Sequence, residues 1–178
     1  MPTTHSDVKV LGSADSELYS YQEGVVAAGE TIYPGMVVEK AGENSDYEVT
    51  PEFQPVSSVE KIGENFMVAL EPDTPPHSND TGLPIQHEYT AGQSIQVALC
   101  QPGCAVQNAL VADGGVLTTA SDANVSYDDA LGSNDDGTLQ KTTAGGSVLC
   151  RAREAVDNSS GGGGAGGVDA ARINVEVV

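Results

Sequence analysis

From residue 88 onward the chain alternates short apolar runs with glycine at nearly regular intervals, and the other segments are read against that rhythm. Ile95, Val97 and Leu99 recur at period two behind the Gly92 turn, the pattern of a half-buried strand with every second side chain facing a core. Pro102-Gly103 predicts a tight turn, because proline presets φ and glycine accepts positive φ, and residues 106–111 then run back as a hairpin partner. Val116-Leu117-Thr118-Thr119 and residues 137–142 predict two brief strands, residues 146–156 a third. Ile173, Val175 and Val177, alternating with polar neighbours, mark the clearest strand of all. Upstream, residues 24–39 read as strand, Gly turn, short apolar link, Pro-Gly turn, strand. Val59, Ile62, Phe66, Met67 and Leu70 fit an amphipathic helix as well as a strand; Gly63 weakens the helix, so residues 66–70 are read as strand.

Three loops separate these runs. Residues 71–84 hold Pro72, Pro75 and Pro76, which remove backbone donors and exclude a central strand. Residues 121–137 are rich in Asp, Asn and Gly, and residues 158–167 are two serines and a glycine tract, the composition of a flexible linker. Residues 1–22 read as an extended arm preceding a single β-rich domain at 23–178, either a frayed terminus or a segment that orders on a neighbouring subunit with Val8, Val10 and Leu11 as apolar anchors.

The order of turns and strands in residues 91–115, the Asp136-Gly137-Thr138-Leu139-Gln140-Lys141 segment, residues 146–159 and the closing Ala170-Ala171-Arg172-Ile173-Asn174-Val175-Glu176-Val177 resembles the small capsid decoration, or cement, proteins of tailed phages and archaeal tailed viruses. The likeness covers about half of the chain and contains no catalytic signature. It implies an all-β protein, a homotrimer, that sits on the outside of an icosahedral head and clamps neighbouring major capsid protein subunits. The expected fold is a compact small β-barrel or tulip-like domain of short antiparallel strands with long loops. The expected location is the virion surface, after synthesis in the host cytoplasm. A turret or spike protein for host-surface attachment is the alternative with the same β-rich character.

Charge narrows the partners. Twenty-six acidic residues against seven basic ones leave a net charge of −19, which repels nucleic-acid phosphates and anionic membranes alike. Hydrophobic residues make up 39% of the chain, too many for disorder to explain the acidity. The alternative is a halophilic setting, where molar salt shortens the screening length to about 3 Å and carboxylate repulsion ceases to be costly. Aromatics are only 4% and tryptophan is absent, so the core is expected from Val, Ile, Leu and Ala. No apolar run reaches the length of a signal sequence core or a membrane helix.

Candidate chemistry is sparse. Asn134-Asp135-Asp136-Gly137 has oxygen ligands beside a turn but lacks a spaced ligand ladder, so a solvated acidic turn is expected there instead of a cation site. Cys100 and Cys104 flank Gln101-Pro102-Gly103, and Cys150 lies later; buried thiols are expected first, a Cys100–Cys104 disulfide second, and zinc with His87 last. His5, His77 and His87 lie in no nucleophile or metalloprotease motif, and no phosphate-binding loop is present. No enzyme activity, metal or cofactor is expected. The residues expected to contact the capsid or a neighbouring subunit are Val8, Val10 and Leu11 in the arm and Pro72, Pro75, Pro76 and Leu83 in the proline loop.

Overall fold

A computed structural model of the chain describes residues 8–11, 19–43, 50–57, 66–71, 84–142, 147–161 and 170–178. Its strands are, in order, β1 (Lys9–Leu11), β2 (Tyr19–Val26), β3 (Thr31–Ile32), β4 (Val38–Glu43), β5 (Pro51–Pro55), β6 (Phe66–Ala69) and β7 (Tyr89–Thr90). There follow β8 (Ser94–Cys100), β9 (Ala105–Leu110), β10 (Asn124–Val125), β11 (Ala130–Ser133), β12 (Leu139–Lys141), β13 (Cys150–Ala152), β14 (Val156–Asp157) and β15 (Arg172–Val177). Two short 3-10 turns, Pro84–Gln86 and Ala120–Ala123, are the helical elements among the described residues, and neither is long enough to cross a membrane.

Two large sheets carry the fold. One is six-stranded and antiparallel, in the order β1-β9-β15-β13-β11-β12; the other is five-stranded, β4-β5-β2-β8-β6, with a single parallel pair between β2 and β5. Ribbons β3-β7 and β10-β14 complete the arrangement. The all-β, mainly antiparallel class is as expected, but among the described residues no sheet closes into a barrel: the six-stranded sheet ends at β1 and β12, the five-stranded one at β4 and β6.

The reason lies in the side chains. Phe66, Val68, Ala98 and Cys100 face the main core, where they meet Val10, Val106, Leu131, Leu139, Cys150, Ile173 and Val175 of the six-stranded sheet. Met67, Ala69, Ile95 and Val97, from the same β6 and β8, point the opposite way into a second cluster with Val26, Val38 and Phe53, covered by Ile32 of β3 and Tyr89 of β7. The five-stranded sheet is therefore apolar on both faces and needs cover on each, which stacking supplies and a solvent-facing barrel wall does not. The half-buried reading of residues 94–100 holds for the first half of β8, where Ser94 and Gln96 face outward, and is corrected for the second, where Ala98 and Cys100 enter the main core opposite Val97.

The Pro102-Gly103 turn forms, but it does not make a hairpin. The Cys104 amide donates to the Gln101 carbonyl at 3.0 Å and Gly103 sits at φ +89°, the geometry of a type II turn. Such turns splay their flanking strands instead of matching the strand twist. β8 accordingly pairs with β2 and β6, whereas β9 crosses to the other sheet between β1 and β15. Two other expectations also change. Residues 116–119 form a turn and not a strand, because the Asp113 carboxylate takes the Gly115 amide at 2.7 Å and the Asp113 carbonyl takes the Val116 amide at 3.0 Å. Residues 121–137 are no single loop: they contain β10 and β11, anchored by Ala123, Val125 and Leu131, all buried. The segments 58–65 and 162–169 lie outside the described residues.

Phe53 is fully buried and its ring lies directly over Gly24 of β2, where a Cβ would stand 2.5 Å from both the ring edge and the Pro51 carbonyl. Neither neighbour is the free end of a flexible chain, so the sheet must shift to admit a side chain. Gly24→Val is expected to cost about 2–3 kcal/mol, the upper range for overpacking, measured by urea denaturation. A variant as stable as the parent would show that β2 and β5 separate freely.

Candidate functional site

β1 is the terminal strand of the six-stranded sheet, and its alternation divides it into two faces. Val10 stands opposite Val106 and, with Val8, is buried in the chain's own core; Lys9 and Leu11 face outward, with Leu11 46% exposed. The Val8 amide donates to Glu71 Oε1 at 2.8 Å, tying the start of the strand to the end of β6. Beside this strand lies an open groove of about 380 Å³ lined by Val8, Lys9, Val10, Leu11, Tyr21, Leu70, Glu71 and Gln96. Tyr21 comes from β2, 55% exposed, and its ring meets that of Tyr19 edge to face at a centroid distance of 5.4 Å. Gln96 comes from β8, so the groove spans the seam where the two large sheets meet.

Such a groove has an apolar body, Leu11 and Tyr21, with a polar rim, Lys9, Glu71 and Gln96. An exposed aromatic next to an aliphatic anchor at a sheet edge is suited to holding a partner surface or an added strand.

A buried cation lies within the field of the Glu71 carboxylate. Arg172 at the start of β15 is 4% exposed, yet its guanidinium donates to three backbone carbonyls: Nη1 to Pro34 at 2.8 Å and Asn108 at 3.0 Å, Nη2 to Ile85 at 2.7 Å. Burial pulls its pKa down to about 10, with the nearby Glu71 carboxylate acting in the opposite direction, so it remains charged at neutral pH. The carbonyl of Asn108 is within reach because β9 bulges there. Asn108 adopts φ +63°, the register against β15 shifts between Ile173 and Val175, and the Asn108 amide donates to Asn174 Oδ1 at 3.2 Å. Gly35, at φ +90°, completes the pocket: a Cβ there would come 2.6 Å from the Asn108 oxygen and 2.8 Å from Arg172 Nη1.

The other candidates are placed as follows. Cys100, Cys104 and Cys150 are buried and free. His87 is partly buried, its ring edge to face with Tyr89 at 5.8 Å; His5 and His77 lie outside the described residues. The Asn134–Gly137 turn joins β11 to β12: Asp136 Oδ1 accepts from the Thr138 amide at 2.9 Å, and the Val37 amide donates to the Gly137 carbonyl at 2.7 Å. Asp128 is spent on Arg151 and Arg153, and Arg153 also pairs with Glu176 at 2.7 Å. Among the described residues no group of three or more His, Cys, Asp or Glu is placed to hold a metal ion. Pro72, Pro75, Pro76 and Leu83 lie outside the described residues.

Of the contact residues expected from the sequence, Leu11 thus remains at the surface, while Val8 and Val10 serve the chain's own packing. Reading residues 1–22 as an arm hid Tyr21, which belongs to β2 and pairs opposite Ala98. The alternation of Tyr19, Ser20 and Tyr21 was the available signal, since aromatic residues at period two favour a strand.

The fold has a counterpart among solved structures. It is similar to the N base of the head fiber gp8.5 of bacteriophage phi29, with a TM-score of 0.50 at 12% identity, over 90% of this chain and 94% of that one. No family model matches the sequence. No curated protein matches it at a significant level.

Proposed function

We propose that this chain is a structural protein of a tailed-virus particle, held as a homotrimer on the outside of an icosahedral head, where it clamps neighbouring major capsid protein subunits. The observation that carries the reading is the fold shared, nearly end to end, with the base of a phage head fiber. The repertoire of the groove fits it: Leu11 and Tyr21 form an exposed apolar anchor at a sheet edge, framed by polar groups. Work of this kind is done by contact area, on the order of 800 Å² per partner, and multiplied by the number of linked sites; it needs no reacting centre and no cofactor. On this reading the protein is made in the host cytoplasm and binds neither nucleic acid nor membrane, consistent with its −19 charge.

The likeness to a fiber base favours a second reading, in which the domain anchors an appendage for attachment to the host surface. Purified protein that blocks adsorption of virus to cells would select this reading over the clamp.

The test uses heads lacking this protein, sedimented with the purified chain. Leu11→Glu combined with Tyr21→Glu is expected to weaken binding by at least about tenfold while leaving the melt unchanged, the behaviour of interface anchors. Undiminished binding by the double variant would remove the groove from the contact. Failure of the parent chain to bind heads at all would remove the virion assignment.

A further inference from the structure

We propose that two copies of this chain pair face to face through the outer face of the six-stranded sheet, about a two-fold axis that runs along the strands between β15 and β13. On the inner side of this sheet Val10, Val106, Val175, Cys150 and Leu131 fill the main core, so their neighbours along each strand point the other way. The strand registers line five of these outward residues up across the sheet: Leu11 of β1, Ala105 of β9, Glu176 of β15, Arg151 of β13 and Ala130 of β11. Leu11 and Arg151 are exposed and the other three half-buried. Beside this row run Lys9, opposite Gln107, and Asn174, whose carbonyl takes the Arg153 amide at 2.8 Å.

Two properties suit this face to a second copy. The first is charge. Lys9, Arg151 and Arg153 stand here with Asp128, Glu154 and Glu176, three charges of each sign on a chain of net −19. The carboxylate excess therefore lies elsewhere on the molecule, and like copies repel least where a face has no net charge.

The second property is the order within the row. The strand order β1-β9-β15-β13-β11-β12 has its midpoint between β15 and β13, so a two-fold there sets Glu176 of one copy against Arg151 of the other, and Ala105 against Ala130. Carboxylate meets cation and small side chain meets small, the self-complementarity that an isologous contact requires. Arg151 gives Nη1 to the Asp128 carbonyl at 3.0 Å, and the rest of its guanidinium has donors for a second carboxylate. Leu11, 46% exposed, and Tyr127, 64% exposed beside Asp128, lie toward opposite ends of the face and close over the small residues of the other copy. Six strands about 4.8 Å apart, with up to six residues at about 3.3 Å each in β9 and β15, give a face roughly 24 Å by 20 Å. That is the size of a weak, reversible contact, below about 1,200 Å² in total.

Apart from Lys9 and Leu11, which also line the groove, these residues are separate from the proposed capsid contact. A two-fold on this face and a three-fold elsewhere on the surface combine in dihedral symmetry, so the pairing and the homotrimer are compatible.

The experiment measures the mass of the full-length chain by light scattering across a dilution series in 2 M potassium chloride, where the screening length falls below about 3 Å and long-range repulsion is removed. The expected mass is an even multiple of the chain, falling on dilution. Arg151→Glu and, separately, Glu176→Arg should each weaken the pairing by at least about tenfold, because each sets like charges opposite one another. Mixing the two folded variants should restore it, since each then supplies the charge that the other lacks. Ala105→Gln adds bulk without charge and leaves the Arg153–Glu176 pair intact, so it carries the test should Glu176→Arg fail to fold; it too should weaken pairing at least about tenfold with its melt unchanged. Monomer or trimer at every concentration, undiminished pairing by Arg151→Glu or Ala105→Gln, or a mixture of folded variants no tighter than its parts would each overturn the two-fold. A trimer would do so while leaving the capsid reading in place.

Discussion

Arg172→Leu is expected to lower stability by about 3–5 kcal/mol, the usual penalty for breaking a buried charge network from one side. For a chain of this length that corresponds to a fall in Tm of roughly 10 °C. Leucine fills much of the volume but donates nothing, so the carbonyls of Pro34, Asn108 and Ile85 lose their side-chain donor together. Each such loss inside a protein costs about 1–3 kcal/mol, partly recovered where water can enter. The Glu71 carboxylate, whose field favours the charged guanidinium, is left without that cation. Adding Glu71→Gln to Arg172→Leu should therefore return part of the loss, and the non-additivity of the two changes measures their coupling. Arg172→Lys should fall between, since an ammonium on a flexible stem cannot span three carbonyls as a planar fork does. Urea denaturation of the parent, Arg172→Leu, Glu71→Gln, the double variant and Arg172→Lys decides it: a loss below about 1 kcal/mol in Arg172→Leu would mean that the β9 bulge, the Gly35 turn and the Pro84–Gln86 turn hold together without the strut.

The second large effect is expected from salt. With a net charge of −19, and Glu23, Glu88, Asp128, Asp135 and Asp157 all exposed, the folded surface concentrates like charges that the unfolded chain spreads apart. Raising potassium chloride from 0.1 M to 2 M shortens the screening length from about 10 Å to below 3 Å, and Tm should rise on the order of 10 °C. Part of any such rise comes from the general action of salts on apolar burial, so sucrose at matched osmolality serves as the control: it strengthens burial without screening. A melt that stays flat or falls across the chloride series would end the halophilic reading, whatever sucrose does.

Much of the β architecture could be read from local pattern. Residues 24–39, 66–70 and 171–177 form the strands and turns their alternation and Pro-Gly punctuation predict, because period-two burial and positive φ are constraints that act within a few residues. The readings that changed did so where a local signal competed with a distant one. Val116-Leu117 looked extended but lost to the Asp113 carboxylate two residues from Gly115; Ala130–Ser133 looked like loop but is held by Leu131 at zero exposure in the main core. At the candidate site Leu11 was legible as an apolar residue in a polar stretch. Its neighbours Tyr21, Leu70, Glu71 and Gln96 were not, since four separate stretches of chain bring them together.

The linear chain settles its own charge, its poverty in aromatics, its commitment to short strands and the places where it must turn, because each of these follows from residue identity and near neighbours. Which sheet a strand joins is settled elsewhere. β8 and β9 are four residues apart yet belong to different sheets, and the surface presented by β1 exists only once Val10 has found Val106 across nearly a hundred residues of sequence. Pairings of that range are chosen by the need to cover both apolar faces of the five-stranded sheet and to satisfy a buried guanidinium. Those demands arise in the packed molecule, where distant groups first share a low-dielectric interior.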